Sequence, residues 1–429
     1  MPLARRLAVA FALWFVAFAL FAADLPRAKP ESVGLSSERL ENIRKVLGAK
    51  VDAGEIPGYV ALVARRGKVV YYEAYGVQNA NTKKAMPRDA IFRIYSMTKP
   101  ITSVAAMILV EEGNIRLSDP VSMYLPELAK LQVATNAGTV KEPAEVQTRP
   151  ATNPIRVVDL LLHTSGFTYG FFKPFPGGGP VEQMYADGGL NDLEITNAEL
   201  VTRISKVPLK YEPGTTWWYS HSTDVLGRLI EVVSGMTLAE FFENRISKPL
   251  GMTDTAFQVA SGKVARFVEP FDDDKKGLTL LYTDPTKPVK FEAGGQGLTS
   301  TVMDYARFAH MLLNRGSLDG ARILGKKTVE LMTTDQVGPG IDHGPFYLPG
   351  QSHGYGLLGA IRIDGPRAPT ALNPMDGSVG EYYWAGYAGT YFWVDPKEEL
   401  VGVYMMQSVR QLLPFATSFK TLVVQSVVE

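Results

Sequence analysis

Three short segments, far apart and in a fixed order, carry side chains able to do covalent chemistry: Ser96-Met97-Thr98-Lys99, Tyr219-Ser220-His221 and Trp384-Ala385-Gly386. A serine hydroxyl becomes a nucleophile when a nearby amine or phenolate takes its proton, and a strand can offer N–H groups to the oxyanion that forms. Together these residue types can support acyl transfer. A Ser-x-x-Lys match by itself arises by chance about once in a chain of this size, so the elements that hold it decide its meaning.

Ile101, Val104, Ala105, Ile108 and Leu109 recur at helical spacing after Ser96, in a stripe that stops at Gly113. Pro100 falls in the first turn, where its missing N–H costs nothing. Ser96 is therefore expected at a helix N-terminus with Lys99 one turn on, on the same face. The ammonium and the positive helix end would both favour an alkoxide there. A plain helix cap beside a solvated lysine fits the same residues. In the second segment the Pro213-Gly214 turn leads to Tyr219, and a helix is expected from Asp224 to Gly235. A phenol ionises near pH ~10, and an adjacent Lys ammonium would lower that value and make tyrosinate a candidate base. A core aromatic with a satisfied hydroxyl fits Tyr219 as well. His221 shows no acidic partner in the sequence, which argues against a conventional catalytic triad, and His163 reads as a structural residue at a turn. The Gly-x-Ser-x-Gly elbow of lipases is read as absent, which argues against an α/β-hydrolase fold.

Composition removes other chemistries. The 429 residues carry 44 basic and 44 acidic side chains, and no run of basic residues points to nucleic acid. Cysteine is absent, so disulfides and thiolate chemistry are excluded, and the five histidines lack metal-ligand spacing, so neither metal nor cofactor is expected. At the N-terminus, Arg5 and Arg6 precede an apolar run from Leu7 to Ala23. This reads as a signal peptide over residues 1–23 and predicts a periplasmic or secreted protein. Phe21-Ala22-Ala23 is a poor cleavage site, and a retained membrane anchor is the alternative.

The positioning elements follow from patterning. A helix is expected from Ser36 to about Ala53, and hairpins over Tyr59–Ala64 with Lys68–Tyr75 and over Thr390–Val394 with Leu400–Met406. A last helix spans about Gln411 to Val428. The fold expected is α/β of the α+β kind: an antiparallel sheet flanked by helices and built from both chain ends. Residues 24–104 and 291–429 would form this α/β domain, and 105–290 a mainly helical inserted domain. Val133–Pro154, Thr168–Asn197 and Gln336–Gly354 read as long irregular stretches, and the aromatics of the latter two mark them as lids.

The chain resembles the serine β-lactamase and penicillin-recognising superfamily, in its class C-like branch and the family VIII carboxylesterases. Besides the three segments, the resemblance rests on landmarks in order: Leu161-Leu162-His163-Thr164-Ser165-Gly166, Tyr211-Glu212-Pro213-Gly214, Ser247-Lys248-Pro249-Leu250-Gly251-Met252, Gly294-Gly295-Gln296-Gly297-Leu298 and Trp393-Val394-Asp395-Pro396. It runs from about residue 35 to 410 and implies a β-lactamase/transpeptidase-like fold. It also implies Ser96 as nucleophile, Lys99 and Tyr219 as its activators, the backbone N–H groups of Ser96 and Tyr387 as oxyanion hole, and His221, Trp384, Ala385 and Gly386 at the substrate. Class C enzymes carry Lys-Thr-Gly where this chain has Trp384-Ala385-Gly386, and Asn where it has His221. Losing that cation and that amide disfavours anionic lactams and acyl-D-amino acids and favours neutral, short-chain esters. The expected partner is therefore a small-molecule ester, with weak cephalosporin hydrolysis or acyl transfer as side activities. A class C-like β-lactamase or D-amino-acid peptidase, and a non-catalytic penicillin-binding-like module, are the alternatives.

Overall fold

Runs of Val, Tyr, Trp and Phe near both ends of the chain build one antiparallel sheet of eight strands. The structure is a computed structural model that describes residues 24–138, 140–277, 284–350, 352–364 and 377–429. The N-terminal segment read as a signal, residues 1–23, lies outside the described residues.

The strands are β1 (Gly58–Arg65), β2 (Lys68–Asn79), β3 (Lys84–Ala85), β4 (His353–Tyr355), β5 (Ala360–Arg362), β6 (Tyr382–Gly386), β7 (Thr390–Asp395) and β8 (Leu400–Met405). They lie in the order β4-β5-β6-β7-β8-β1-β2-β3, so β1 sits between its own hairpin partner and the last strand, with Leu62 opposite both Tyr72 and Val403. The β1–β2 connection is a two-residue turn with φ of 51° at Arg66 and 73° at Gly67. Two positive φ values match the right-handed twist of the strands they join. β1, β7 and β8 are buried along their whole length, which is why they read as continuous apolar runs and not as alternation.

Helices cover both faces. The main ones are α1 (Ser37–Asp52), α2 (Thr98–Glu111), α3 (Pro180–Asp187), α4 (Ser222–Ser234), α5 (Val302–Leu313) and α6 (Leu412–Val424). Ser36 caps α1 by accepting from Arg39 N at 3.3 Å. Phe419 of α6 lies 5.3 Å from Trp393 on one face, and Tyr305 of α5 lies 4.9 Å from Phe392 on the other. α2 is buried from Thr98 to Leu109 without a wet face, whereas the sequence predicts a one-sided stripe. It packs against α4 and runs unbroken across residues 104 and 105.

Two stretches read as irregular contain regular structure. Gln132–Ala134 pairs with Thr148–Pro150 as a small ribbon, and Thr168–Asn197 includes α3. Thr139 and Gln351 lie outside the described residues.

Candidate active site

Ser96 lies in a single 3₁₀ turn, Tyr95–Met97, that feeds directly into α2. Tyr95 enters this turn with φ of 43°, a left-handed conformation that costs energy for a non-glycine residue and persists only where the surroundings impose it. What imposes it is the end of β6. Gly386 abuts Ile94, so that a Cβ there would come within 2.2 Å of the Ile94 carbonyl oxygen, and Thr390 Oγ1 donates to that oxygen at 3.1 Å. The glycine of the third segment is thus required by contact between two backbones. Tyr387, one residue beyond, packs its ring edge-on against that of Tyr95 in the Ser96 turn, with centroids 6.3 Å apart.

Lys99 is buried, and its Nζ donates to Ser96 Oγ at 3.3 Å and to the Gly295 carbonyl at 2.8 Å. Its Nζ lies 4.4 Å from the centre of the Tyr219 ring, so the structure gathers a hydroxyl, an amine and a phenol from residues far apart in the chain. Burial penalises the ammonium and brings the Lys99 pKa down to about 7, against the opposing charge of Asp224. Burial moves Tyr219 the other way: its pKa is raised, although hydrogen bonds from Ser96 and Trp384 pull it down. The expectation that the ammonium would generate a tyrosinate is therefore corrected. Removing both groups from water disfavours both charged forms, which leaves an amine that can take up a proton beside a phenol that keeps its own.

Trp384 is buried on β6, and its indole Nε1 donates to Tyr219 Oη at 3.4 Å. Ala385 and Gly386 continue the strand with little exposure. His163 sits in a turn with φ of 57°, its ring 4.6 Å from that of Tyr219, and its Nδ1 accepts from Ser220 N at 3.3 Å. It props the phenol from behind, as a turn residue that the site uses. Of the lid aromatics, Tyr169 and Phe172 stand 5.7 and 6.2 Å from Tyr219, and Phe172 meets Phe346 of the 336–354 stretch at 5.9 Å. Both long stretches converge on this site.

His221 departs from expectation. It is 3% exposed, and its Nδ1 lies 2.9 Å from Asp224 Oδ2, so it does have an acidic partner. The sequence carries this signal as an i, i+3 pair at the start of α4, where His221 stands at the N-cap position without a side-chain capping bond. Its ring packs on Tyr169 at 4.3 Å and its Nε2 is buried, so it faces the protein interior and not an open cleft. The Gly294-Gly295 pair, a landmark in the sequence without an assigned role, forms a turn against this site. Its carbonyls accept from Thr102 and Lys99, and side chains there are excluded because a Cβ on Gly294 would come within 2.6 Å of the Thr223 carbonyl. Gly350-Gln351-Ser352-His353-Gly354 does match Gly-x-Ser-x-Gly in letters. However, Ser352 is 2% exposed and precedes the three-residue strand β4 instead of a helix, so no nucleophile elbow forms. Among the described residues no cluster of His, Asp or Glu is placed to hold a metal ion, and no helix is long and apolar enough to cross a membrane.

This geometry can accept a proton from a serine, hold it on an amine and return it through a phenol. Comparison with known proteins bears on the family and the fold. The Beta-lactamase family model matches residues 43–419. Protein Rv1367c of Mycobacterium tuberculosis is 33% identical over 365 residues, covering 83% of this chain and 87% of its own. Lovastatin esterase of Penicillium rubens is 30% identical over 386 residues, covering 84% of this chain and 91% of the esterase. Among solved structures, EstCE1, a hydrolase with promiscuous acyltransferase activity, superposes with a TM-score of 0.71 at 25% identity, covering 92% of this chain and 98% of its own. With the family match spanning most of the sequence and the same mixed fold in its solved relatives, the chain belongs to the β-lactamase family.

Proposed function

We propose that the protein is a serine carboxylesterase that hydrolyses short-chain carboxylic esters through an acyl-enzyme on Ser96. The observation that carries this reading is the buried amine 3.3 Å from Ser96 Oγ with its pKa near 7, backed by Tyr219. Neutral Lys99 takes the Ser96 proton as Oγ adds to the ester carbonyl carbon, so the ammonium and the tetrahedral oxyanion form together. The N–H groups of Ser96 and Tyr387 receive the oxyanion, and loss of one such donor typically costs about 3 kcal/mol. Collapse breaks the bond to the alcohol oxygen, which takes the proton back from Lys99 by way of the Tyr219 hydroxyl. Water then adds to the acyl-enzyme by the same route, releasing the acid and restoring Ser96. An alcohol in place of water would give acyl transfer, the promiscuous activity of EstCE1.

Substrate preference rests on Trp384. It occupies the place of a cation that an anionic lactam or peptide would need, and its buried indole is tied to Tyr219. Neutral esters follow, and the name of the lovastatin esterase supports the same class. The Arg5-Arg6 start and the apolar run after it support export to the periplasm or beyond.

A panel of nitrophenyl esters beside a chromogenic cephalosporin, run on wild type and on Ser96→Ala, tests the proposal. Turnover of the butyrate ester should exceed that of the cephalosporin and fall at least about 10⁴-fold in Ser96→Ala. Faster lactam than ester turnover, or an unaffected alanine variant, rejects it.

A further inference from the structure

A buried relay leads away from Lys99 that the chemistry at Ser96 does not itself use. Lys99 Nζ donates to the Gly295 carbonyl at 2.8 Å, and the N–H of the same residue donates to Asp224 Oδ1 at 2.8 Å. The other carboxylate oxygen, Oδ2, lies 2.9 Å from His221 Nδ1. A carboxylate only accepts, so Nδ1 carries the proton in this contact. Asp224 is 1% exposed in the first turn of α4. A buried carboxylate is costly unless its oxygens are matched, and here both are.

Resting on the esterase reading above, we propose that Asp224 is a positioning residue for Lys99, acting through Gly295, with His221 holding its second oxygen. The contact from Asp224 orients the Gly295 peptide, so its carbonyl aims Lys99 Nζ at Ser96 Oγ. Its charge also counters the burial of the amine. Among the described residues, the other groups around Lys99 bring no compensating negative charge. Tyr169 lies 5.6 Å and Tyr219 4.4 Å away as rings, and burial favours the neutral phenol in both. Ser96 is neutral, and burial together with the Lys99 charge holds His163 unprotonated. His221 in the place of the family's Asn thereby has a use that needs no contact with substrate.

Asp224→Asn tests this, because the amide oxygen can still accept from Gly295 while the charge is gone. Since the working base is the neutral amine, removing a nearby negative charge makes the ammonium less stable. The acid limb of kcat/KM should then move to lower pH by about one unit. The resulting weaker base should lower kcat about tenfold or more, with KM within about twofold. Gly295→Ala approaches from the other side, since its Cβ would come within 2.8 Å of Asp224 Oδ1. It should lower kcat to a similar extent, again with KM little changed. An acid limb that stays in place or moves upward in Asp224→Asn overturns the proposal, whatever happens to kcat. If that variant does not fold, Gly295→Ala decides: kcat within about threefold of wild type overturns it. Labelling of wild type by a phosphonate probe separates the two levels. Wild type that is labelled at Ser96 while the variants behave like it rejects only the role of Asp224, whereas wild type that takes no label rejects the esterase reading.

Discussion

Lys99 shows how much of a residue's chemistry depends on what surrounds it. Ser96 and Lys99 share a helix face by spacing alone, but the spacing says nothing about solvent. Burial puts the Lys99 pKa at about 7, so the amine is neutral on the alkaline side. In the proposed mechanism the active form has lost a proton, and kcat/KM for an ester should therefore rise with pH through a midpoint near 7, measured from about pH 5 to about 9. A profile falling over that range would mean that the ammonium is the working form. The same burial has a cost in stability. The native pKa lies below the unfolded value, so the penalty is fully present below pH 7 and is relieved as pH rises toward 10.5. Lys99→Met should accordingly be inactive yet more stable at pH ~6 by about 2 kcal/mol, a gain reduced because the Gly295 carbonyl loses its donor. Denaturant melts of the two proteins at pH ~6 and ~9 check both the sign and its decline with pH. Tyr219 teaches the converse: its neighbour in the sequence-level argument was a cation, but the dominant influence in the fold is the loss of water.

At the scale of elements, the site is held by features that lack reactive groups. The stretch 168–197 is clamped by Lys210, whose Nζ meets Glu182 Oε1 on α3 at 2.5 Å and the Gly177 carbonyl at 2.5 Å. Thr168 Oγ1 donates to the same carboxylate oxygen at 2.8 Å and accepts from Trp218 Nε1 at 2.7 Å, which joins this stretch to the segment carrying Tyr219. Both charged groups are almost fully buried. Glu182→Gln would leave a buried ammonium without its counter-charge and should destabilise the protein by about 3 kcal/mol, read as a shift of the denaturation midpoint. An unchanged midpoint would mean that the ion pair contributes nothing beyond its isostere. This clamp was not legible in the sequence. Lys210 and Glu182 are far apart along the chain, and neither belongs to a pattern, whereas the hairpins were legible because their β-branched and aromatic runs are contiguous and bounded by turn residues. Likewise the Gly294-Gly295 landmark could be quoted as letters, but its purpose appears only where α2 and α4 close on it.

Across the whole molecule, the sheet depends on both ends of the chain at once. β1 has β2 on one side and β8 on the other, with Val60 opposite Met405 and Arg65 opposite Leu400. Deleting residues 400–429 would strip β8 and α6, leaving β1 and β7 as bare edges and Trp393 without Phe419. Unpaired apolar edges aggregate, so the truncated chain should be recovered insoluble, whereas a soluble monomer with a cooperative melt would contradict this account of the fold.

The two hairpins, the helices α1, α2, α4 and α6, the order of the three motif segments and the mixed fold were legible in the sequence alone. Those depend on local periodicity, turn residues and contiguous motifs, which are written in neighbouring letters. Tertiary structure alone decided which groups lose water and which meet. It buried Lys99 and Tyr219 side by side, which lowers the one pKa and raises the other, gave His221 its partner in Asp224, and tied the Ser96 turn to the end of β6 through Gly386. Solvation and contact across long sequence separations depend on how the whole chain closes, and no window of the sequence contains them.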